Sequence, residues 1–408
     1  MSEGDWSGGG DAGGDWGGGG SGGDSFSEAS SEGWLSRIGK AIVAIPIGLL
    51  VFALSFVLLF WNEGRSVRTA RDLAEGKSSV VSVESGRVDP ADEGKLVHVT
   101  GEATTTETLK DPRFPVSARA LQLRRVVQIY QWEEKSERRF RRKLGGGEET
   151  VTTYSYNKKW SDRPIDSSRF KKPEGHRNPP SRPVEAWTGR AEAATLGAFK
   201  LPPDLVGRIG GGEPLAVGEA ELDALPDDLK GKAKLDGGRF TLGGDPARPE
   251  VGDQTVAFEQ VRPQVVSLLA RQEGDTFRPY TTRSGGSIER IQVGTASAGE
   301  MFASAEAENR VLTWILRAVG FILMGVGLMM VLSPLSVLAD VVPILGSIVG
   351  AGTAFVAFGV AAVLSLVTIA LGWIAYRPVV GIALLVLAGA VMFGLGYLSR
   401  DRRGAIAT

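Results

Sequence analysis

The chain has no cysteine among its 408 residues and only two histidines, His98 and His176. Without cysteine it forms no disulfide, holds no thiolate-bound metal and has no cysteine nucleophile. A transition-metal site would have to depend on carboxylates, because two histidines supply few nitrogen ligands. We therefore expect no metal and no cofactor, and any folded part must be stabilised by its core and its anchors.

An excess of charge of either sign is also missing. Lys and Arg number 46, Asp and Glu number 47, and the net charge is −1. The basic run 138–143 is short and lies beside a glycine turn, which is typical of the solvated end of a hairpin. The composition therefore predicts no nucleic-acid partner.

Long apolar runs are confined to the two ends of the chain. One run covers 41–61, and the others fill about 318–397. A bilayer core about 30 Å thick needs about 20 apolar residues per helix. We predict an α+β membrane protein with four transmembrane helices. The first is N-terminal, three lie near 318–338, 348–375 and 379–397, and together they bracket a large β-rich extracytoplasmic domain.

The composition divides the chain into five parts. Residues 1–33 are glycine-rich, with seven acidic residues and no Lys or Arg, and such a segment cannot bury enough apolar area to offset the entropy of ordering. We therefore predict a disordered tail at 1–33, a transmembrane helix with its cytoplasmic flank at 34–62, a β-rich domain at 63–308, a three-helix bundle at 309–397 and a basic cytoplasmic tail at 398–408.

Basic residues on the outer flanks of the apolar runs orient the helices. They are Arg37, Lys40, Arg400, Arg402 and Arg403. The positive-inside bias then places both termini in the cytoplasm, and four helices satisfy that parity. Arg65, Arg68 and Arg71 oppose this orientation, although a long folded domain can translocate with such charges on its own surface.

The middle of the chain has the two-residue period of β-strands. Strands at Leu121–Trp132 and Thr152–Trp160, joined by a turn at 143–147, predict a long hairpin. Aromatic residues expected to pair across it are Tyr130, Trp132, Tyr154, Tyr156 and Trp160. Further elements expected are strands at Leu96–Thr100, Thr255–Phe258, Val265–Arg271, Thr276–Thr282 and Ser287–Val293, and a short helix at Glu219–Leu229.

The loop 175–180 contains His176 and Asn178, two residue types used in acid/base chemistry. We favour the other interpretation, a turn stabilised by hydrogen bonds of these side chains. His98 lies in the middle of a predicted strand and is interpreted as a structural residue. The loop keeps one alternative open, an enzyme that uses His176, Arg177 and Asn178.

Charged residues are scarce within the apolar runs, which disfavours a pump because pumps need ionisable relays inside the membrane. Arg317 and Arg377 are the exceptions, and we expect both to reach the lipid head groups at the bilayer interface. Gly325 and Gly327 lie close together in one run. Small residues of this kind predict close helix packing or self-association.

Blocks along most of the chain resemble the transmembrane protein 43 family, also called LUMA. In chain order the blocks are Phe60-Trp61-Asn62-Glu63-Gly64-Arg65, Leu73-Ala74-Glu75-Gly76, Glu93-Gly94-Lys95-Leu96-Val97-His98, Leu123-Arg124-Arg125, Tyr130-Gln131-Trp132, Tyr154-Ser155-Tyr156-Asn157, Gly175-His176-Arg177-Asn178-Pro179, Ala270-Arg271-Gln272, Gly274-Asp275, Ser284-Gly285, Leu316-Arg317-Ala318 and Gly372-Trp373-Ile374-Ala375-Tyr376-Arg377-Pro378. These blocks include both junctions between the apolar runs and the middle domain.

The resemblance implies four membrane helices, cytoplasmic termini and a large loop on the lumenal side, which in eukaryotes is the endoplasmic reticulum and nuclear envelope. It also implies a self-associating organiser of membrane-protein complexes, with no established catalytic residues to carry over. The Ala/Arg/Gly-rich composition looks prokaryotic. We therefore expect a multi-pass protein of the bacterial inner membrane, with the domain in the periplasm or at the cell exterior.

Three functions remain open from the sequence. The leading hypothesis is a non-enzymatic membrane scaffold that forms homo-oligomers and organises membrane-protein or lipid partners through its extracytoplasmic domain. The alternatives are an oligomeric channel or transporter formed by the C-terminal helices, and a membrane-anchored hydrolase of unknown substrate. Candidate interaction residues are Trp61, Asn62, Glu63, Gly64, Arg65, Tyr130, Trp132, Tyr154, Tyr156, His176, Asn178, Arg317 and Arg377.

Overall fold

The computed structural model describes residues 24–341 and 343–377. Within them the helices are α1 (Trp34–Ser79), α2 (Pro203–Val206), α3 (Glu219–Asp223), α4 (Ala298–Ala339) and α5 (Pro343–Tyr376). The strands are β1 (Asp24–Glu32), β2 (Val81–Glu84), β3 (Leu96–Thr105), β4 (Leu109–Lys110), β5 (Ser117–Ala118), β6 (Gln122–Arg142), β7 (Glu148–Ser161), β8 (Trp187–Arg190), β9 (Ala194–Leu196), β10 (Phe199–Leu201), β11 (Glu213–Leu215), β12 (Ala233–Asp236), β13 (Arg239–Leu242), β14 (Gln254–Val261), β15 (Gln264–Glu273), β16 (Thr276–Arg278), β17 (Tyr280–Thr281), β18 (Ser287–Ile288) and β19 (Arg290–Val293).

Two sheets form the middle domain. The first has the strand order β1-β7-β6-β14-β13-β12, with β11 beside β14 and β8 beside β6. The second has the order β10-β9-β3-β15-β16, with β19 beside β15 and β2 parallel to β3. Alternate residues of these strands face one of two apolar cores, which contain the ring pairs Phe114–Phe240 and Phe199–Phe277. This alternation is why the sequence predicted the long strands β3, β6, β7, β14 and β15. The strands β2, β4, β5 and β8 to β13 have only two to four residues each, too few to show the pattern, and were not predicted.

Two of the long helices, α1 and α4, are continuous between their apolar segments and the domain. Leu73 of α1 and Met301 and Phe302 of α4 are buried in a core with Leu96 and Leu269 of the second sheet. The sequence prediction began the β-rich domain at residue 63, whereas helix continues to Ser79 before the first strand of this sheet. The helices and the domain are therefore joined by shared apolar packing, and no flexible linker separates them.

Three of the described helices are long and apolar enough to cross a bilayer. The spans are Trp34–Ser79, Ala298–Ala339 and Ile348–Tyr376. They confirm three of the predicted transmembrane helices and the α+β class with a large β-rich domain. The fourth predicted helix, at 379–397, lies outside the described residues.

Glycine lets α1 and α4 approach until their backbones touch. A methyl group added at Gly327 would lie 2.8 Å from the carbonyl oxygen of Gly48 and 2.7 Å from the backbone nitrogen of Phe52. One added at Gly325 would meet the ring of Phe358 on α5 at 2.4 Å. The glycines that predicted close packing thus pack helices within one chain.

A polar ribbon formed by β1, β7 and the outer part of β6 leaves the domain and reaches the start of α1. At its tip the Gly146 carbonyl oxygen accepts a 2.5 Å hydrogen bond from Arg37, and Glu148 lies 3.5 Å from the same guanidinium. The ribbon side chains are mostly Ser, Thr, Glu, Lys and Arg. A sheet with polar side chains and open edges cannot lie in hydrocarbon. The ribbon tip therefore cannot contact Arg37 while a bilayer surrounds α1.

The prediction of a disordered tail at 1–33 is wrong for residues 24–32. Asp24–Glu32 forms a strand that pairs with Glu148–Tyr156, and residues 1–23 lie outside the described part of the chain. Phe26 stacks on Tyr154 with ring centroids 5.2 Å apart. The composition correctly shows that this segment has little to bury, but backbone hydrogen bonding to an open sheet edge does not need apolar side chains.

The short predicted helix Glu219–Leu229 is also corrected. Its helical part, α3, ends at Asp223. Pro226 follows shortly afterwards, and proline lacks the N–H that a continuing helix would use.

We predict that Gly327→Ala destabilises the helical bundle by about 1–3 kcal/mol, because the added methyl group has only backbone to displace. Thermal unfolding of the detergent-purified protein, followed by circular dichroism, measures this change. The matched control is Gly39→Ala on α1, where nothing lies within 4 Å of the added methyl group. Equal unfolding midpoints for the two variants would refute the close α1–α4 packing.

Candidate functional site at the membrane junction

The clearest polar site lies where the apolar parts of α1, α4 and α5 meet the domain. Its centre is Glu63, whose side chain is 2% exposed. Arg317 donates two hydrogen bonds to it, from Nε to Oε1 at 2.7 Å and from a terminal nitrogen to Oε2 at 2.8 Å. Trp373 donates a third from its indole nitrogen to Oε2 at 2.9 Å. One buried carboxylate therefore joins three helices.

A second set of hydrogen bonds lies beside this pair and joins α1 to α4. Asn62 donates to the backbone oxygen of Thr313 at 3.1 Å. Arg65 donates to the side-chain oxygens of Asn309 and Thr313, both at 2.9 Å. Asn309 donates in turn to the backbone oxygen of Ser66 at 3.0 Å. The Arg65 guanidinium is therefore part of the contact between α1 and α4, where its partners are neutral oxygens.

Glycines on α1 and α5 let these two helices pack closely at the junction. A methyl group at Gly64 would lie 2.6 Å from the ring of Tyr376, and one at Gly372 would lie 2.9 Å from the Glu63 side chain. Arg71 donates to the backbone oxygen of Tyr376 at 2.7 Å. The small residue in each helix is therefore needed for the approach that lets the carboxylate reach its partners.

The other junction residues point outward. Trp61 is 49% exposed and Trp314 is 64% exposed. The guanidinium of Arg377 lies 6.0 Å from the Trp373 ring, while that of Arg317 lies 4.9 Å from the Trp314 ring and 5.8 Å from the Trp373 ring. Exposed tryptophans at the end of an apolar run are typical of the bilayer interface. Arg317, which we expected to reach the head groups, is mostly buried in its ion pair.

A polar cluster at the opposite ends of the helices mirrors this junction. Arg37 of α1 pairs with Asp340 after α4 at 2.6 Å, and Trp34 donates to the backbone oxygen of Val337 at 2.9 Å. Along α1, Arg37 and Glu63 are about 39 Å apart at 1.5 Å per residue. The two clusters therefore bracket a length of helix that exceeds the hydrocarbon core of about 30 Å.

The predicted aromatic hairpin forms as expected in part. Tyr130 lies opposite Trp160, with ring centroids 5.1 Å apart. Trp132 lies opposite Lys158, whose ammonium is 4.8 Å from the indole ring. The hairpin and its turn at 143–147 agree with the prediction, but only one of the expected aromatic pairs forms, because Tyr156 lies opposite Glu134 and Tyr154 lies opposite Ser136.

His176 and Asn178 hold the loop beside this hairpin. Both ring nitrogens of His176 lie within hydrogen-bonding distance of oxygen, 2.9 Å from the Lys172 carbonyl and 2.7 Å from Asp24. Asn178 accepts from the backbone nitrogen of Trp132 at 2.7 Å and donates to its oxygen at 3.0 Å. The arrangement is the hydrogen-bonded turn that the sequence analysis favoured.

Tyr156 belongs to the same cluster, since its ring stacks on His176 at 3.8 Å. Its hydroxyl donates to Glu134 at 2.6 Å and accepts from the backbone nitrogen of Lys172 at 3.0 Å. Burial, followed by the hydrogen bond to Glu134, raises the pKa of Tyr156 to about 12. His98 is likewise a structural residue, with Nε2 2.8 Å from the Ala296 carbonyl oxygen.

The sequence prediction missed the partners that complete the junction. Asn309, Thr313 and Trp373 were not singled out as site residues, although Trp373 lies within one of the family-like blocks. A signal existed for Asn309 and Thr313, because they are polar and lie one helical turn apart just before Arg317. The described residues contain no cluster of His, Asp and Glu arranged to hold a metal ion.

Comparison with known proteins agrees with the blocks that meet at this site. The family model described as Transmembrane protein 43 matches residues 129–378. Transmembrane protein 43 of Rattus norvegicus is 37% identical over 357 residues, which are 85% of this chain and 88% of the relative. The chain belongs to the transmembrane protein 43 family. It is a multi-pass integral membrane protein, as its three apolar helices require.

Other members of the transmembrane protein 43 family show a similar extent of likeness. The Homo sapiens protein is 36% identical over 361 residues, covering 86% of this chain and 88% of the relative. The Drosophila melanogaster homolog is 31% identical over 355 residues, covering 84% and 91%. No solved structure matches this chain.

We predict that Glu63→Gln destabilises the protein by about 3–5 kcal/mol, because it leaves the mostly buried Arg317 without its counter-charge. Unfolding of the purified protein in detergent measures the loss. Glu306→Gln is the matched control on the exposed surface beside the site, and it should stay within about 0.5 kcal/mol of the parent. Equal stability of the two variants would contradict the central role of Glu63.

We predict that Asn178→Ala destabilises the domain by about 1–3 kcal/mol, because Trp132 would lose hydrogen bonds to its backbone nitrogen and oxygen. Arg177→Ala, at an exposed neighbouring position, is the control. Hydrogen exchange of the β6–β7 hairpin reports the effect locally. Unchanged exchange in Asn178→Ala would show that the loop does not depend on this side chain.

Proposed function

We propose that this protein is a non-enzymatic membrane scaffold, in which the β-rich domain is held rigidly on a transmembrane bundle and presents a fixed surface to partners. The observation that carries this proposal is the junction around Glu63. Three helices converge on one buried carboxylate, and two of them continue into the domain core. A domain that is fixed rigidly to its transmembrane helices can hold other molecules in defined positions.

The apolar helices offer little support for transport through the chain. Residues 41–61, 318–339 and 348–376 contain no Asp, Glu, Lys or Arg. Ion pathways and proton relays need ionisable groups within the membrane. The charges at the two ends, Glu63 with Arg317 and Arg37 with Asp340, are paired across helices.

Our proposal includes the topology, with both termini in the cytoplasm and the domain outside a bacterial inner membrane. Four spans, the last at 379–397, are part of it. In this arrangement the polar ribbon cannot lie along α1 within the bilayer. The strand Asp24–Glu32 must then separate from β7, and Asp24 from His176, because the hairpin stays with the domain while the strand precedes the first span.

The cysteine-free chain allows a direct test of this topology. Ser31 and Glu149 are register partners in the ribbon, so their α-carbons are about 5 Å apart, within disulfide range. We predict that the pair Ser31→Cys/Glu149→Cys forms no disulfide in oxidised liposomes. The control pair Thr104→Cys/Thr195→Cys, register partners inside the domain, should form one. A disulfide at the ribbon pair in liposomes would overturn the proposed topology.

Self-association and partner binding are tested by the mass of the particle. We expect the protein, extracted in mild detergent, to appear in native mass spectrometry as a homo-oligomer or with co-purified membrane protein or lipid. A strictly monomeric particle with nothing bound would contradict the scaffold proposal. Flux through liposomes above that of empty vesicles would favour the alternative channel or transporter.

A further inference from the structure

A cleft of about 390 Å³ opens beside the junction, on the face shared by α1, α4 and α5. Pockets of about 300–1,000 Å³ are the usual size for small ligands. Its charged lining residues are Glu63, Glu306, Arg310, Arg317 and Arg377. The exposed indole of Trp314 and the half-buried indole of Trp373 form part of its wall.

The cleft lies at the height of the lipid head groups. Arg317 directly precedes the apolar run of α4, and Arg377 directly follows that of α5. Arg310 is two helical turns further from the hydrocarbon, about 10 Å along α4. The head-group layer of each leaflet is roughly 5–8 Å thick. Its phosphates would therefore lie between the levels of Arg377 and Arg310.

Two of the three arginines are available to an anion. Arg317 uses its guanidinium on both oxygens of Glu63. Arg310 and Arg377 are exposed and have no ionic partner among residues 24–341 and 343–377. The charges of Glu63 and Arg317 cancel in their ion pair. The rest of the lining has the two positive charges of Arg310 and Arg377 and the one negative charge of Glu306. The cleft therefore carries a net positive charge.

A second cleft of about 390 Å³, on the other side of the α1–α4 pair, provides a comparison. Its cations are bonded: Arg65 to Asn309 and Thr313, and Arg290 to Glu308 at 2.5 Å. Its other charged lining residues, Asp72 and Glu289, are acidic. Glu289 is itself paired with Arg208, which lies outside the cleft. The two remaining charges of the lining, Arg65 and Asp72, balance each other, so this cleft has no excess of positive charge. An anion is therefore expected in the first cleft and not in the second.

We propose that the first cleft binds the head group of an anionic phospholipid, with Arg310 and Arg377 donating to the phosphate. Guanidinium groups form strong charge-assisted hydrogen bonds to phosphate oxygens. Below the cleft, α5 exposes Leu366, two helical turns before Trp373, and Val363, four turns before Arg377, so both lie on the cleft side of this helix and acyl chains can lie along them. This apolar surface favours a lipid over free inorganic phosphate. The inference rests on the proposed function and names the class of lipid partner.

The test titrates the full chain in detergent with phosphatidylglycerol, phosphatidylcholine or inorganic phosphate. Native mass spectrometry then measures the bound adducts on the peak of the single chain. A surface Arg contributes about 1 kcal/mol toward an anionic lipid, which is about fivefold in affinity. We expect about fivefold weaker phosphatidylglycerol binding for Arg310→Gln or Arg377→Gln, and about 25-fold for the double variant. Glu306→Gln should strengthen binding about fivefold.

Arg68→Gln is the matched control, because Arg68 is exposed on α1 at a similar height and does not line the cleft. Equal binding of the two phospholipids, or an equal loss in Arg68→Gln, would overturn the inference. Saturation by inorganic phosphate at the same concentrations would overturn the choice of a lipid. If the protein is a monomer that binds phosphatidylglycerol selectively, the proposed self-association is wrong but this inference stands. If it is an oligomer that shows no lipid selectivity, this inference is wrong but self-association stands.

Discussion

The ion pair between Glu63 and Arg317 is the interaction on which the arrangement of domain and membrane depends. Both charges are removed from water, and such a pair is stable only when its geometry and remaining hydrogen bonds are satisfied. The two nitrogen-to-oxygen contacts and the indole of Trp373 meet that condition. An ion pair with these demands fixes the relative positions of α1, α4 and α5 more narrowly than apolar packing alone.

This fixed junction has mechanical consequences because two of the helices do not stop at the bilayer surface. α1 continues to Ser79 and α4 begins at Ala298, so each has several turns inside the domain. Leu73, Met301 and Phe302 then pack on the second sheet. A tilt of the helices at the junction would have to move the sheet with it. The domain is consequently a rigid extension of the bundle, which is the property expected of a scaffold.

Much of the fold follows from periodicity in the sequence. The two-residue period of Leu121–Trp132 predicted β6 and its hairpin, and continuous apolar runs predicted the membrane helices. The extension of α1 to Ser79 was missed because its Arg- and Glu-rich second part carries no apolar run, and only packing on the domain shows that it is helical. The strand Asp24–Glu32 was missed because its pairing with a distant edge leaves no local pattern.

The sequence predicted several residues of the site but not the contacts between them. Asn62, Glu63, Arg65 and Arg317 were identified from family-like blocks, but sequence alone did not show that blocks on three helices meet. Arg317 was expected in the head groups because an isolated arginine beside an apolar run is usually solvated. Its partner Glu63 lies 254 positions earlier in the chain, and only the assembled bundle brings them together.

The most direct measurement of the central claim is a double-mutant cycle between Glu63→Gln and Arg317→Gln, with the free energy of unfolding measured in one detergent. If the two charges hold the junction as a pair, the double variant should be more stable than the sum of the single losses predicts, by at least about 1 kcal/mol. Additive losses would show that the two residues act independently, and would contradict the account.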